Sequence, residues 1–139
     1  MKPAAASRAA AFLPALLLLY GALSLLHFAH NARYLGDYPN LPAWLSRADV
    51  WLSWCGVTLV GIAGFALYRR GHRGAGLALL TVYAAIGFDA LMHYARAPLS
   101  AHSAMMNFTI WAEVAAAALL LADLLVLGLR PVRALPRRT

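Results

Sequence analysis

The sequence has few charged residues and a single cysteine. Of its 139 residues, 12% are charged and 63% are hydrophobic, whereas soluble domains carry about 25% charged residues. Cys55 is the only cysteine, which excludes an intrachain disulfide and a thiolate metal site. The composition therefore indicates a membrane protein rather than a soluble domain.

The sequence also lacks the short motifs that mark common catalytic sites. It contains no nucleophile elbow, no phosphate-binding glycine loop, no HExxH helix and no CxxC pair. We find no internal repeat, no low-complexity linker and no second domain. The sequence therefore predicts one domain over residues 1–139, and it does not name a reaction.

Long apolar runs dominate the chain. They cover residues 11–30, 50–68, 75–94 and 106–129, and each is close to the ~20 residues that a helix needs to cross a bilayer. The first run also resembles a signal peptide, but it continues as LLHFAH beyond its only small-residue cleavage site at Ala22-Leu23-Ser24. We therefore predict an all-α integral membrane protein, a bundle of four transmembrane helices with an uncleaved first helix.

Basic residues fall outside these runs and are unevenly distributed. Nine of the twelve precede the first run, fill the RRGHRG loop or follow the fourth run, and the other three are Arg33, Arg47 and Arg96. By the positive-inside rule, both termini are expected in the cytoplasm. This topology explains the net charge of +7 better than nucleic-acid binding does. Eleven Arg against one Lys, with abundant Ala and Leu, is typical of a GC-rich bacterial genome, so we expect a bacterial inner-membrane protein.

The loop between the first two runs contains YPNLPAWLSRAD. Its two prolines around an asparagine predict a turn. Ser46 followed three residues later by Asp49 resembles a helix N-cap pattern.

Most histidines and two acids fall in the outer, periplasmic half of this topology. Because helical positions three or four apart share a face, His27 and Asn31 align on the first helix, and Asp89 and His93 stack on the third. The candidate metal ligands are His27, His30, Asp89, His93, His102 and Glu113. The candidate pocket or supporting residues are Tyr20, Ser24, Asn31, Tyr83, Asn107 and Thr109.

Carboxylates within a bilayer need protons, cationic partners or a metal, because an isolated charge costs ~2.5–3.5 kcal/mol at a helix centre on insertion scales. Neither Lys nor Arg is predicted at the depth of Asp89 and Glu113, so the histidines are their natural partners. Imidazole and carboxylate ligands from three helices suit Zn, Fe or Cu(II). We therefore expect a transition-metal site that opens toward the periplasm.

The same residues are compatible with several alternatives. A haem b site ligated by His27 or His30 with His93 is one. A non-catalytic accessory subunit or a proton-coupled carrier, with Asp, Glu and His as proton relays, is another. The same groups also suit interfacial anchoring or a structural polar network. Expected partners are the lipid bilayer and either another membrane protein or further copies of the chain. His72 and Asp123 are interpreted as a solvated loop residue and a structural residue.

Overall fold

A computed structural model of the chain describes the backbone of residues 4–129 and the side chains of residues 12–129. This part is all-helical and contains no strand. Its α-helices are α1 (Ala4–Arg33), α2 (Arg47–Arg69), α3 (Arg73–Ile86), α4 (Met92–Arg96) and α5 (Ala104–Gly128). Short 3-10 helices cover Leu35–Asp37, Gly87–Leu91 and Leu99–Ala101.

Four stretches of these helices are long and apolar enough to span a membrane. They are Phe12–Arg33, Arg47–Arg69, Arg73–Arg96 and Ala104–Gly128. The predicted number of spans is thereby confirmed, and the pattern is that of a multi-pass membrane protein.

The third span is not the continuous α-helix that its hydropathy predicted. A 3-10 segment, Gly87–Leu91, separates α3 from α4. It begins where the chain passes very close to α1 and α5: a Cβ added to Gly87 would lie 2.7 Å from both the Ala117 Cβ and the Tyr20 hydroxyl oxygen. Only glycine fits this approach without displacing a neighbour.

Side-chain caps fix the starts of α2 and α5. Ser46 and Asp49 form the reciprocal capping box that the sequence predicted. At α5, Ser103 Oγ accepts a hydrogen bond from the Met106 amide, so the helix begins at Ala104. His102 therefore precedes the helix and lies in the loop, held at the N-terminal end of α5.

The spanning helices form a ring in which α1 lies between α2 and α5, and α3 contacts both α2 and α5. One end of this bundle carries the loops 34–46 and 97–103, and we call it the two-loop end. The opposite end carries the tight turn between α2 and α3, and we call it the hairpin end. There Arg73 donates a hydrogen bond to the Leu127 carbonyl oxygen, which joins α3 to α5.

The apolar core lies toward the hairpin end and reaches the middle of the bundle. Its buried residues are Leu13, Tyr20, Leu80, Tyr83, Ala84, Ala116, Ala117, Leu120, Leu124 and Leu127. A smaller cluster of Ala90, Ile110 and Val114 lies where the 3-10 segment meets α5. This leaves the interior near the two-loop end for polar groups.

Two asparagines hold the loops of the two-loop end. Asn40 adopts a left-handed backbone conformation (φ 57°), and its side chain donates a 2.8 Å hydrogen bond to the Arg96 carbonyl oxygen. Asn107 Nδ2 donates to the carbonyl oxygens of Leu99 and His102, each at 3.2 Å. The loops are thereby fixed against α4 and α5.

Candidate functional site

A polar cluster occupies the interior of the two-loop end. We use this name for His27, Asn31, His93, His102 and Glu113. His27 and Asn31 come from α1, His93 from α4, His102 from the loop before α5, and Glu113 from α5. The structure therefore brings together four of the six predicted metal ligands.

His27 lies at the centre of this cluster and is 2% exposed. Its Nδ1 lies 3.3 Å from Thr109 Oγ1, and the Thr109 hydroxyl donates in turn to the Met106 carbonyl oxygen. Because that hydroxyl proton is already used, His27 Nδ1 must be the donor to Thr109. The His27 Nε2 lone pair is therefore free to face the rest of the cluster.

Asn31 lies between two imidazoles. Its Nδ2 is 3.0 Å from His27 Nε2 and 3.4 Å from His93 Nε2. The amide therefore donates toward both nitrogens, while its Oδ1 is buried and accepts no hydrogen bond from any described residue. The i, i+4 spacing of His27 and Asn31 on α1 explains their contact.

His102 is oriented by its own loop. Its Nδ1 lies 3.1 Å from the Pro98 carbonyl oxygen, which can only accept, so Nδ1 carries the proton. Its Nε2 is buried and lacks a hydrogen-bond partner within the described part of the chain. Tyr94 supports this arrangement because its hydroxyl donates at 2.7 Å to Asn107 Oδ1, the same residue that holds the loop.

Glu113 is the acid of the cluster and is 2% exposed. Its Oε2 lies 3.8 Å from His27 Nε2 and has no hydrogen bond from the residues the structure describes. Ser24, which is 1% exposed, interacts with the same carboxyl group. Below them, the Tyr20 hydroxyl donates to the Tyr83 carbonyl oxygen at 3.2 Å, and these two rings close the floor of the cluster.

The three imidazoles of the cluster are close neighbours. The ring centroids of His27 and His93 are 5.4 Å apart, and those of His93 and His102 are 6.1 Å apart. His93 Nδ1 is a further buried nitrogen without a described partner. The interior thus contains three imidazoles and one carboxyl group with little hydrogen bonding among them.

His30 is held just outside the cluster by a residue that the sequence analysis did not single out. Its Nδ1 lies 2.8 Å from the Tyr38 hydroxyl, and the Tyr38 ring packs against His93 with centroids 4.8 Å apart. Burial raises the pKa of Tyr38 to about 12, so its hydroxyl keeps its proton near neutrality. Tyr38 precedes the turn of the YPN motif, which was the available signal.

Asp89 does not join the cluster. It lies in the 3-10 segment with its side chain exposed, and it makes no hydrogen bond or ion pair with any described residue, although its carboxylate interacts electrostatically with Glu113 and Tyr20. His72 lies in the turn at the hairpin end, as expected for a loop residue, and Asp123 lies half-buried in the opposite half of α5.

Two clefts lie near these residues. One of about 720 Å³ opens at the two-loop end beside His30 and is lined by Leu26, His30, Tyr34, Asp37, Ala101, Ser103, Met105 and Met106. The other, of about 540 Å³, is apolar, lies between α1 and α2 and is also lined by Tyr83. No residue of the polar cluster lines the first cleft, but His30 and Ser103, which are close in sequence to Asn31 and His102, do.

The geometry falls short of a closed metal centre. Among residues 12–129, no group of three or more His, Cys, Asp or Glu side chains stands ready to hold a metal ion. The Asn31 amide fills the space between His27 Nε2 and His93 Nε2. Comparison with protein-family models, with curated proteins and with solved structures found no match.

Proposed function

We propose that the chain is a multi-pass protein of a bacterial inner membrane that binds a transition-metal ion at the polar cluster. It acts either as a metal-dependent enzyme or as a metal-handling protein. In this proposal both termini are cytoplasmic, since the positive-inside rule assigns the arginine-rich hairpin end to the cytoplasm. The two-loop end and its cleft then face the periplasm.

The observation that carries the proposal is a pair of buried acceptors in the polar cluster that have no hydrogen-bond partner among the described residues. Asn31 Oδ1 and His102 Nε2 can only accept, and neither has a partner among the described residues; the nearby Glu113 carboxyl group interacts with Ser24. Buried polar atoms in proteins are almost always satisfied, and unpaired ones each cost about 1–3 kcal/mol. A bound cation would be the partner that these two acceptors lack.

The orientation of the imidazoles supports a metal over a loose polar network. His27 and His102 each donate Nδ1–H to an oxygen and direct Nε2 elsewhere, which is the arrangement typical of metal-binding histidines. Two imidazoles on one zinc ion at about 2.1 Å place their ring centroids roughly 5 Å apart. The observed 5.4 and 6.1 Å require only small shifts.

In this geometry, metal binding requires the Asn31 side chain to move. A cation between His27 Nε2 and His93 Nε2 takes the place of the Asn31 amide hydrogens, so the Asn31 side chain must rotate when the ion binds. Nitrogen and oxygen donors without thiolate favour Zn, Fe or Cu(II) over Cu(I). His30 lines the cleft and is hydrogen-bonded to Tyr38, so in this proposal it does not ligate the ion.

Metal analysis of the full-length protein, purified in detergent and dialysed against Zn²⁺, Fe²⁺ or Co²⁺, tests the proposal. We expect one ion per chain, lost on substitution of His27 or His102 by Gln and retained in His72→Ala, a histidine variant outside the cluster. Affinity should fall in acidic solution, because protonated imidazole cannot bind a metal. Metal content that is equal in His27→Gln and His72→Ala would contradict the site.

Glu113→Gln separates a metal site from a structural network. If Glu113 is a ligand, the variant loses metal and the metal-free fold is as stable as before or slightly firmer, because a buried charge is removed. If the carboxyl group serves the fold alone, the variant lowers the melting temperature in detergent with no change in metal content. The second result would overturn the proposal.

A proton-relay function is the second candidate, and the 3.8 Å separation of His27 Nε2 from Glu113 Oε2 favours it, since both groups can exchange protons. The Asn31 amide, which faces both His27 Nε2 and His93 Nε2, must move away before a proton can pass between these two imidazoles. The haem alternative is favoured least, since the same amide occupies the space that a porphyrin plane between His27 and His93 requires. A Soret band in the visible spectrum would reverse that ranking.

A further inference from the structure

The apolar cleft between α1 and α2 contains hydrogen-bond donors that the described chain leaves unused. Tyr83 lines the cleft and is 5% exposed, and its hydroxyl makes no hydrogen bond with any described residue. Trp54 lines the same cleft, and its indole nitrogen is buried without a partner in the described part of the chain. Buried polar groups almost always have a partner, and an indole N–H can only donate. The missing partner is therefore an acceptor.

Two glycines give the Tyr83 hydroxyl access to the cleft. A Cβ added to Gly61 would lie 2.8 Å from the Tyr83 ring, and one added to Gly21 would lie 3.6 Å from the Tyr83 hydroxyl oxygen. Both glycines line the cleft, so the ring lies against bare α2 backbone and the hydroxyl lies beside bare α1 backbone. The Tyr20 hydroxyl, which donates to the Tyr83 carbonyl oxygen, holds this part of α3 against α1. The donor is thereby positioned at the cleft.

The depth of Tyr83 limits which molecule can accept this hydrogen bond. Tyr83 lies ten residues after Arg73, where the third span begins, which places it about 15 Å from that end at 1.5 Å per residue. This is near the middle of a hydrocarbon core of about 30 Å. Phospholipid ester carbonyls lie at the edges of that core, so a phospholipid presents only its acyl chains at this level. An acceptor at this depth must belong to a smaller molecule that dissolves in the hydrocarbon.

The other lining residues indicate the shape of that molecule. Trp54, Phe65 and Tyr83 supply aromatic rings, which pack well against a planar ring. Leu18 and Ile62 are lining residues that are also exposed at the outer surface of the bundle, so the cleft opens toward lipid. Its volume of about 540 Å³ lies within the range of about 300–1,000 Å³ that is typical of small-molecule sites. A quinone combines a planar ring, carbonyl acceptors, no charge and an apolar tail.

We propose that this cleft binds a lipid-soluble quinone. One ring carbonyl oxygen accepts a hydrogen bond from the Tyr83 hydroxyl, and the apolar tail leaves between α1 and α2 into the lipid. The inference goes beyond the metal proposal and does not rest on it, because no residue of the polar cluster lines the cleft. Failure of the quinone site and failure of the metal site are therefore independent results.

The test uses the full chain in phosphatidylcholine nanodiscs with decylubiquinone as the probe. Quinones quench tryptophan fluorescence, so Trp54 in the lining reports occupancy. We expect a quenching component that saturates, in addition to the unsaturable quenching by quinone dissolved in the bilayer. Tyr83→Phe removes only the hydroxyl and should weaken the saturable binding roughly fivefold. Tyr34→Phe removes a hydroxyl outside the cleft and should leave the binding unchanged.

A second pair of variants tests the cleft itself. Gly21→Leu places a side chain in the cleft at a position where a Cβ meets only ordinary contact, and it should abolish the saturable quenching. Gly56→Leu adds the same side chain on α2 outside the lining, where a Cβ has no neighbour within 4 Å, and it should bind like the wild type. Circular dichroism checks that each variant folds.

Three results would overturn the proposal. The first is saturable quenching that persists in Gly21→Leu, and the second is binding that Tyr83→Phe leaves unchanged. The third is displacement of decylubiquinone by an equal amount of decylbenzene, which has the same tail and a ring but no carbonyl. That result would show that the cleft holds any apolar molecule, including a phospholipid acyl chain.

Discussion

The two ends of the bundle are built by different physical means. All the buried polar residues of the described part, Ser24, His27, His102, Thr109 and Glu113, lie in the half nearer the two-loop end. The half nearer the hairpin end buries Leu13, Leu80, Leu120, Leu124 and Leu127, with Arg73 joining helices at the surface. One half is specified by directed hydrogen bonds, and the other by close packing.

Because of this difference, the two ends should contribute differently to the stability of the fold and to the geometry of the site. The leucines packed near the hairpin end do not titrate, so their contribution to stability does not depend on pH. The two-loop end depends on which nitrogen of each imidazole carries a proton and on two short loops. Substitutions near the hairpin end should therefore change the free energy of unfolding alone, whereas those near the two-loop end should also change the site.

The largest effect is expected at Leu120, which is 0% exposed. Leu120→Ala leaves a cavity in the apolar core and should lower the free energy of unfolding by about 3 kcal/mol, measured by denaturant titration in mixed micelles. Leu119→Ala, at a neighbouring side chain that is 55% exposed, should have little effect. Metal content of folded Leu120→Ala should equal that of the wild type, and a loss would show that the two halves are coupled.

A smaller effect is expected at Tyr38 in alkaline solution. Its pKa is about 12 in the folded chain, against about 10 when unfolded, so the unfolded state ionises first. Stability that is present below pH 10 should be lost as the pH rises to 12, by about 2–3 kcal/mol. Tyr38→Phe should lack this loss. Unfolding free energies of both proteins, measured from pH 8 to 12, would contradict the prediction if the two curves run parallel.

Thr109→Val tests how much one hydrogen bond of the polar cluster contributes to stability and to the site. The isosteric change removes the acceptor of His27 Nδ1, so a buried donor is left unpaired and the free energy of unfolding should fall by about 1–2 kcal/mol. Metal affinity should fall as well, because the imidazole loses its fixed orientation. Thr58→Val, in the lining of the apolar cleft, is the matched control. Equal effects of the two substitutions would remove the special role of Thr109.

The smallest effect is expected in the loop at Asn40. Asn40→Ala loses the hydrogen bond to Arg96 and places alanine at a positive φ, and together these should cost about 1 kcal/mol or slightly more. Asn40→Gly loses the hydrogen bond but keeps a permitted backbone, so it should be milder. Thermal unfolding in detergent ranks the two variants. If Asn40→Gly is the less stable one, backbone strain is not the deciding term.

Much of this architecture could be predicted from the sequence, because each span is a long apolar run between charged segments. The contact of His27 with Asn31 follows from helical spacing, and the Ser46–Asp49 cap from its local pattern. The position of Glu113 near the histidines could be anticipated, because a buried acid requires polar neighbours and the histidines were predicted at a similar depth in the membrane.

The departure at Asp89 has a geometric cause. In a continuous α-helix Asp89 and His93 share a face, which is why they were expected to act together. A 3-10 helix turns by about 120° per residue instead of about 100°, so the Gly87–Leu91 segment rotates the two side chains roughly a quarter turn apart. Hydropathy does not distinguish these windings. The contact of Tyr38 with His30 and His93 depends on a loop that folds back, which no periodicity reveals.

The hydrogen bond between His27 and Thr109 joins residues 82 positions apart, and this separation has a consequence for biogenesis. The ribosome synthesises α1 before α5, so His27 and Asn31 enter the membrane before Thr109 and His93, the residues that they contact in the folded chain. The cluster is complete only when α5 has docked beside α1. A ligand that needs both His27 and Glu113 could therefore bind only after the fourth span has been synthesised and has packed against α1.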